Sequence, residues 1–164
     1  MPQLQLSVSA TTRAPRPGER HGVDYWFLSE ADFDEHVATG DFVEHATYSG
    51  RRYGTLRSEL ERRADAGVPV MLEIELQGAR QIRASMPEAV QIFIEPPTLD
   101  ALQARLVGRG TDDPEQIAGR LRTAESELAA KHEFGYVVCN DRLEDAVDAV
   151  ESIVRGELTL DSNT

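Results

Sequence analysis

Apolar and polar positions alternate across residues 4–8, which predicts a short strand running into an irregular segment. A second strand is expected over residues 25–28, the run YWFL. Ser29 with Asp32 has the spacing of a helix-start capping box, and Gly40 stands where that helix would stop. Phe42–Tyr48 reads as a strand, with Phe42, Glu44 and Ala46 expected on one face and Val43, His45 and Thr47 on the other. Ser49 and Gly50 then turn the chain towards Tyr53, Gly54 and Thr55.

Residues 56–66 predict a helix rich in Glu and Arg, closed by Gly67, and residues 68–75 an apolar strand. A helix over residues 77–86 and a strand over 90–95 continue the alternation, which favours an α/β fold with a parallel sheet and short connections. Pro96 and Pro97 break the chain, and Thr98 can cap a helix over residues 99–107 with Leu99, Leu102 and Leu106 on one face. Gly108, Gly110, Asp112 and Asp113 suggest a loop, and Pro114 suits the first position of a long helix to about Lys131. Tyr136–Cys139 is expected as the last buried strand, residues 143–154 as the closing helix and residues 156–164 as a polar, frayed tail.

A chain of 164 residues with 40% hydrophobic and 28% charged residues predicts one globular domain, or a core with small inserted subdomains. No stretch approaches the apolar length of a membrane helix, and the start MPQLQLSV lacks the pattern of a signal peptide. The single cysteine, Cys139, excludes a disulfide framework within the chain and fits a reducing cytoplasm. A net charge of −12 argues against general nucleic-acid or membrane-surface binding, so clustered arginines must serve a local purpose.

One such cluster lies in SVSATTRAPRPGE, where Arg13 and Arg16 project from a loop stiffened by Pro15, Pro17 and Gly18. Guanidinium forks bind phosphate oxygens in pairs, and Thr11, Thr12 and a tyrosine hydroxyl could take those that remain. Spacing alone also leaves open a solvated loop with scattered charge. Further along, Arg105 and Arg109 are four residues apart, neighbours on one helix face.

The runs SVSATTRAPRPGE, GVDYWF, FVEHATYSGRRYGT, EIELQG, RLVGRG and VVCND follow one another in an order and spacing that resemble guanylate kinases. The resemblance extends over about residues 7–154. It implies a P-loop kinase-like parallel core with an inserted GMP-binding subdomain at about residues 10–66 and a helical lid at about 105–122. The implied reaction is phosphoryl transfer from ATP to GMP, with Mg2+ accompanying the ATP. By the same resemblance Arg13, Arg16, Tyr25 and Tyr53 hold the GMP phosphate. Ser9, Glu44, Thr55 and Glu73 line the guanine, with Glu19 in the same site. Arg105, Arg109 and Arg120 match lid arginines that reach the transferring phosphate, Asn140 a position near adenine, and Glu75 a carboxylate near the magnesium. The chemistry of Glu44 is coherent, since the N1–H and N2–H donors of guanine suit a carboxylate as a pair and adenine offers another pattern.

Two departures qualify the resemblance. No GxxxxGK[ST] occurs in the 164 residues, Lys131 follows Ala130, and only six residues precede Ser7. The family also has Asp where this chain has Glu75. The resulting expectation is a guanylate kinase sequence without its first strand and P-loop helix, having its acceptor half but not its donor half, and poorly stable alone. Two alternatives remain: a non-catalytic guanylate-kinase-like module that binds phosphopeptides, and a relative acting on a ribose phosphate.

Overall fold

The computed structural model describes residues 4–64, 68–110 and 113–161. The chain divides into two compact units, Met1–Ala89 and Val90–Thr164. In the first unit β1 (Gln5–Leu6) pairs in parallel with β6 (Val70–Met71). Beside this pair of strands in the sequence is a four-stranded sheet of order β3-β2-β5-β4. It is built from β2 (Ala10–Thr11), β3 (Trp26–Phe27), β4 (Phe42–Tyr48) and β5 (Arg51–Leu56).

Local chemistry accounts for several of these elements. Helix α1 (Glu30–Thr39) begins at the full capping box of Ser29 and Asp32 and ends at Gly40, whose φ of 74° is left-handed. The β4–β5 hairpin turns on Ser49 and Gly50, with φ of 51° and 71°, the two positive angles that a tight two-residue hairpin loop requires. The core of this sheet is Ala10, Phe33 and Phe42, with Trp26, Leu28, Val37 and Leu56 packed against it. The rings of Phe33 and Phe42 stack with centroids 4.5 Å apart, and Phe33 is fully buried. Helix α2 (Arg57–Ala64) follows β5 directly, and α3 (Leu76–Ser85) lies against β4.

The strict alternation expected along β4 is broken. Phe42 pairs with Leu56 and Glu44 with Thr55, so Val43 is the extra residue of a β-bulge. Beyond the bulge the faces exchange. His45, not Glu44, shares the side of Phe42: the rings of Phe42 and His45 are 5.9 Å apart, and both lie against Phe33. Glu44 is thereby sent to the opposite face. The strand expected over residues 68–75 is also shorter, limited to Val70–Met71, and Leu72 to Glu75 run as irregular chain into α3. The proposed stop at Gly67 lies outside the described residues.

The second unit has a parallel pair, β7 (Ile92–Glu95) with β8 (Tyr136–Cys139). Helix α4 (Leu99–Arg109) starts at Thr98, whose hydroxyl accepts from the Ala101 N–H. Gly108 belongs to this helix and not to the following loop; Gly110, with φ of 63°, ends it. Leu106 is buried whereas Leu99 is exposed, so the three leucines do not form one buried stripe. Asp113 opens α5 (Pro114–Ala129) with a capping box to Gln116 and Pro114 in its first turn, and a 3-10 turn at Lys131–Glu133 follows. Asp112 of the expected loop lies outside the described residues.

Strand β8 is not the buried strand that its apolar sequence suggests: Val138 is buried, but Tyr136, Val137 and Cys139 are exposed. Helix α6 (Leu143–Asp161) also runs past the expected end into the polar tail. There the Thr159 hydroxyl donates to the Arg155 carbonyl at 2.7 Å, and the Tyr136 hydroxyl donates to Glu157, which ties the added turns to β8. Residues 162–164 of the tail lie outside the described residues. No helix among the described residues is long and apolar enough to cross a membrane.

Candidate active site

The arginine loop folds around Glu19. Its carboxylate accepts from both terminal nitrogens of Arg13, at 3.0 and 2.9 Å, and from the Arg16 backbone N–H at 2.7 Å. The Glu19 N–H in turn donates to the Arg16 carbonyl at 3.0 Å. This closes residues 16–19 into a turn and fixes the plane of the Arg13 fork. The pair polarises both partners: Glu19 raises the Arg13 guanidinium above its ordinary value, and Arg13 holds the Glu19 carboxyl below its own. The Arg16 side chain is exposed.

Aromatic residues frame the same fork. The Arg13 guanidinium carbon lies 5.1 Å from the Tyr25 ring centre and 5.9 Å from that of Phe27. Tyr25 and Tyr53 meet edge-on with centroids 6.4 Å apart, and Tyr53 joins Glu19 in raising the Arg13 guanidinium. Tyr25 is placed by a compact turn in which Arg20 N–H donates to the Asp24 carboxylate at 2.8 Å and Gly22 N–H to the Tyr25 carbonyl at 2.8 Å. Thr11 is buried beneath the loop, donating to the Arg52 carbonyl at 3.0 Å and accepting from the Arg13 N–H at 3.1 Å.

Two residues along β5 from Tyr53, the buried Thr55 hydroxyl donates to Glu44 Oε1 at 2.7 Å. Side chains two apart on a strand share a face and are separated by roughly 7 Å. The cluster around Arg13 and the carboxylate of Glu44 therefore stand on one face of one sheet. Gly54, between them, points to the other side: a Cβ there would meet Phe42 Cδ1 at 2.9 Å.

Glu44 is 4% exposed, and burial pushes its carboxyl above the usual 4.5, with the hydrogen bonds from Thr55 opposing the shift. Helix α3 forms the wall over it. A Cβ on Gly78 would stand 2.2 Å from Glu44 Oε2, so only glycine leaves the space the carboxylate occupies. One turn along α3, the Gln81 side chain bonds to both backbone groups of His45, the neighbour of Glu44. Gly78 closes the run EIELQG without a role of its own there, and Gln81 lies outside every run that carries the resemblance; only the packing of α3 on β4 brings them to the site.

The remaining site candidates are more dispersed. Ser9 is half-buried, and its carbonyl accepts from the Trp26 N–H at 2.9 Å. Glu73 is exposed on the irregular chain before α3, and Glu75 occupies the N-cap position of that helix without capping it through its side chain. Among the described residues no group of three or more His, Cys, Asp or Glu side chains could hold a metal ion.

In the second unit Arg105 and Arg109 both lie on α4, Arg109 in its last turn, and Arg120 lies on α5. The Arg105 guanidinium donates to the carbonyls of Asn140 at 2.7 Å and Asp141 at 2.9 Å. That joins two of the sequence candidates, Arg105 and Asn140, across 35 positions of chain. In the same unit Lys131 pairs with Glu95 at 2.8 Å.

A family model described as guanylate kinase matches residues 2–157. The guanylate kinase of Streptomyces coelicolor is 54% identical over 144 residues, which cover 88% of this chain and 73% of the relative. That of Frankia casuarinae is 51% identical over 155 residues, covering 94% of this chain and 84% of the relative. The crystal structure of guanylate kinase from Anaplasma phagocytophilum superposes with a TM-score of 0.81 at 35% identity, over 94% of this chain and 76% of that one. With this match across nearly the whole length, and a fold that agrees with it, the chain belongs to the guanylate kinase family.

Proposed function

We infer that the face shared by β2, β4 and β5 binds GMP as phosphoryl acceptor in the family's transfer from ATP, yielding GDP and ADP. The observation that carries this reading is the placement of Tyr53 and Thr55 two residues apart on β5, one beside the Arg13 fork and the other bonded to Glu44. Arg13, Arg16, Tyr25 and Tyr53 take the phosphate. Glu19 aligns Arg13 and the Arg16 backbone for it, a more indirect part than lining the base.

Glu44 and Thr55 receive the guanine edge, with Ser9 and Glu73 nearby in the chain segments that flank it. A carboxylate has about four acceptor positions, so Glu44, with its hydrogen bonds from Thr55, keeps lone pairs for N1–H and N2–H. Because the fold has already removed Glu44 from water, a base lacking those donors leaves those lone pairs without partners. Such a site rejects a mismatched base by roughly 10⁴.

Arg105, Arg109 and Arg120 are assigned to the lid, where arginines stabilise charge on the phosphoryl oxygens and no general base is needed. Asn140 is assigned to the adenine side. Mg2+ would enter bound to ATP, keeping most of its waters, with Glu75 as the protein carboxylate that addresses it. The acidic chain of net charge −12 suits small anionic ligands held at local arginines and not nucleic acid, and its single cysteine suits the cytoplasm.

Titration of the 164-residue chain with GMP, AMP and a phosphoserine peptide tests the acceptor assignment independently of the donor. Saturable binding of GMP in preference to both others supports it. Preference for the peptide would instead identify a non-catalytic binding module.

A further inference from the structure

In the sheet order β3-β2-β5-β4, β4 is an edge strand whose outer side would present bare backbone groups. At His45 that edge is covered by one side chain. Gln81 Oε1 accepts from the His45 N–H at 3.1 Å, and Gln81 Nε2 donates to the His45 carbonyl at 2.6 Å. The carboxamide acts as a one-residue strand partner, matching a donor with an acceptor on each side. Its second N–H donates to the Gln77 carbonyl at 3.2 Å on its own helix, which fixes the side chain's direction.

Edge cover alone would explain a stabilising residue. Two further observations connect Gln81 to the site. The Val43 bulge immediately precedes Glu44, and a bulge interrupts the ladder that would otherwise hold the strand to β5. The direction of Glu44 then depends on how the residue on its other side, His45, is held. In addition, Gly78, one turn before Gln81 on the same helix, bounds the Glu44 carboxylate. The same face of α3 thus sets both the backbone beside Glu44 and the space that its carboxylate can fill.

We propose that Gln81 is a positioning residue for base selection: by clamping His45 to α3 it holds Glu44 where both carboxylate oxygens meet the paired N–H donors of guanine. This rests on the reading of Glu44 as the guanine acceptor. The two-donor match is the part most sensitive to a small rotation of β4, because a displaced carboxylate can still accept one N–H but not two. Discrimination between GMP and IMP, which lacks the N2 amino group, therefore depends on Gln81 even though the side chain does not touch the base.

The test is titration of the full 164-residue chain, wild type and the variants Gln81→Glu and Gln81→Met, with GMP, IMP and ribose 5-phosphate. Gln81→Glu keeps the shape and one acceptor but loses the donor to the His45 carbonyl; Gln81→Met keeps the length and loses both bonds. The wild type is expected to prefer GMP over IMP by about tenfold or more, as one charge-assisted hydrogen bond distinguishes them. In each folded variant that ratio should fall about tenfold or to unity, while ribose 5-phosphate affinity is unchanged. A variant that only loosens the fold would weaken all three ligands together. Should Gln81→Met fail to fold, the near-isosteric Gln81→Glu decides alone. An unchanged GMP to IMP ratio beside a GMP-binding wild type overturns this proposal and leaves the GMP site standing, whereas a wild type that does not bind GMP overturns both.

Discussion

Gly78 and Glu44 are in such close contact that a single methyl group on Gly78 would stand 2.2 Å from Glu44 Oε2. The acid assigned here to base recognition is thus confined by a residue with no side chain, 34 positions further along the sequence. Gly78→Ala must expel the carboxylate or move α3. Overpacking of this kind costs about 1–3 kcal/mol of stability. The displaced acid should also weaken GMP on the order of 10- to 100-fold through its lost hydrogen bonds. Calorimetric titration beside a urea unfolding curve checks both; unchanged GMP affinity would separate Gly78 from the site.

Burial raises the Glu44 carboxyl above 4.5, and Thr55 only partly offsets it. Between the ordinary and raised values the folded chain binds more protons than the unfolded chain, so this group's contribution to stability falls as pH rises through that window. Guanine donors favour the carboxylate, so GMP binding should release a proton from Glu44 in the same window. Titrations in two buffers of different ionisation enthalpy count that proton. Glu44→Gln removes it while leaving the ligand phosphate's own ionisation, near pH 6, in place. Equal proton release by wild type and variant would contradict the assignment.

Glu19 fixes Arg13 through two hydrogen bonds and Arg16 through one, all on the side proposed to take the phosphate. Glu19→Ala should weaken GMP about tenfold by freeing the Arg13 fork, with guanosine affinity unchanged. The depressed Glu19 carboxyl makes the same contact acid-sensitive: it is intact above the ordinary carboxyl range and is lost as pH falls through the lowered value. Parallel titrations with nucleotide and nucleoside decide this, and equal losses for both ligands would place Glu19 on the base side.

Phe33 is fully buried against Phe42, and the Arg52 guanidinium lies 4.2 Å over its ring. Phe33→Ala should cost about 3–5 kcal/mol, measured by chemical denaturation. A loss below about 1 kcal/mol would mean that this cluster is not the core that holds the sheet.

Much of the fold follows from contacts near in sequence. The capping box at Ser29, Pro114 at the start of α5, the turn at Ser49 and Gly50 and the span of β4 are legible because they rest on signals local in the sequence, whereas Asp113, which forms a capping box with Gln116, reads there as loop. The candidate site reads there as a set of residue types in order. Its geometry is not legible. The bulge at Val43 is fixed by the register with β5 and reverses the faces that simple alternation assigns to Glu44 and His45. Gln81 reads as an ordinary polar helix residue until α3 is packed on β4, and Arg105 meets the Asn140 and Asp141 carbonyls only through the fold. The exposure of Tyr136 and Val137 likewise depends on what lies beside β8, which an apolar run does not encode.

The most direct test of the account is the affinity of the 164-residue chain for GMP and AMP, measured by calorimetry for the wild type and Glu44→Gln. The account predicts saturable GMP binding by the wild type, with AMP weaker by roughly 10⁴, and a collapse of that preference in Glu44→Gln while the shared phosphate contacts remain. A wild type that binds the two nucleotides equally, or a Glu44→Gln variant that retains the full preference for GMP, would contradict it.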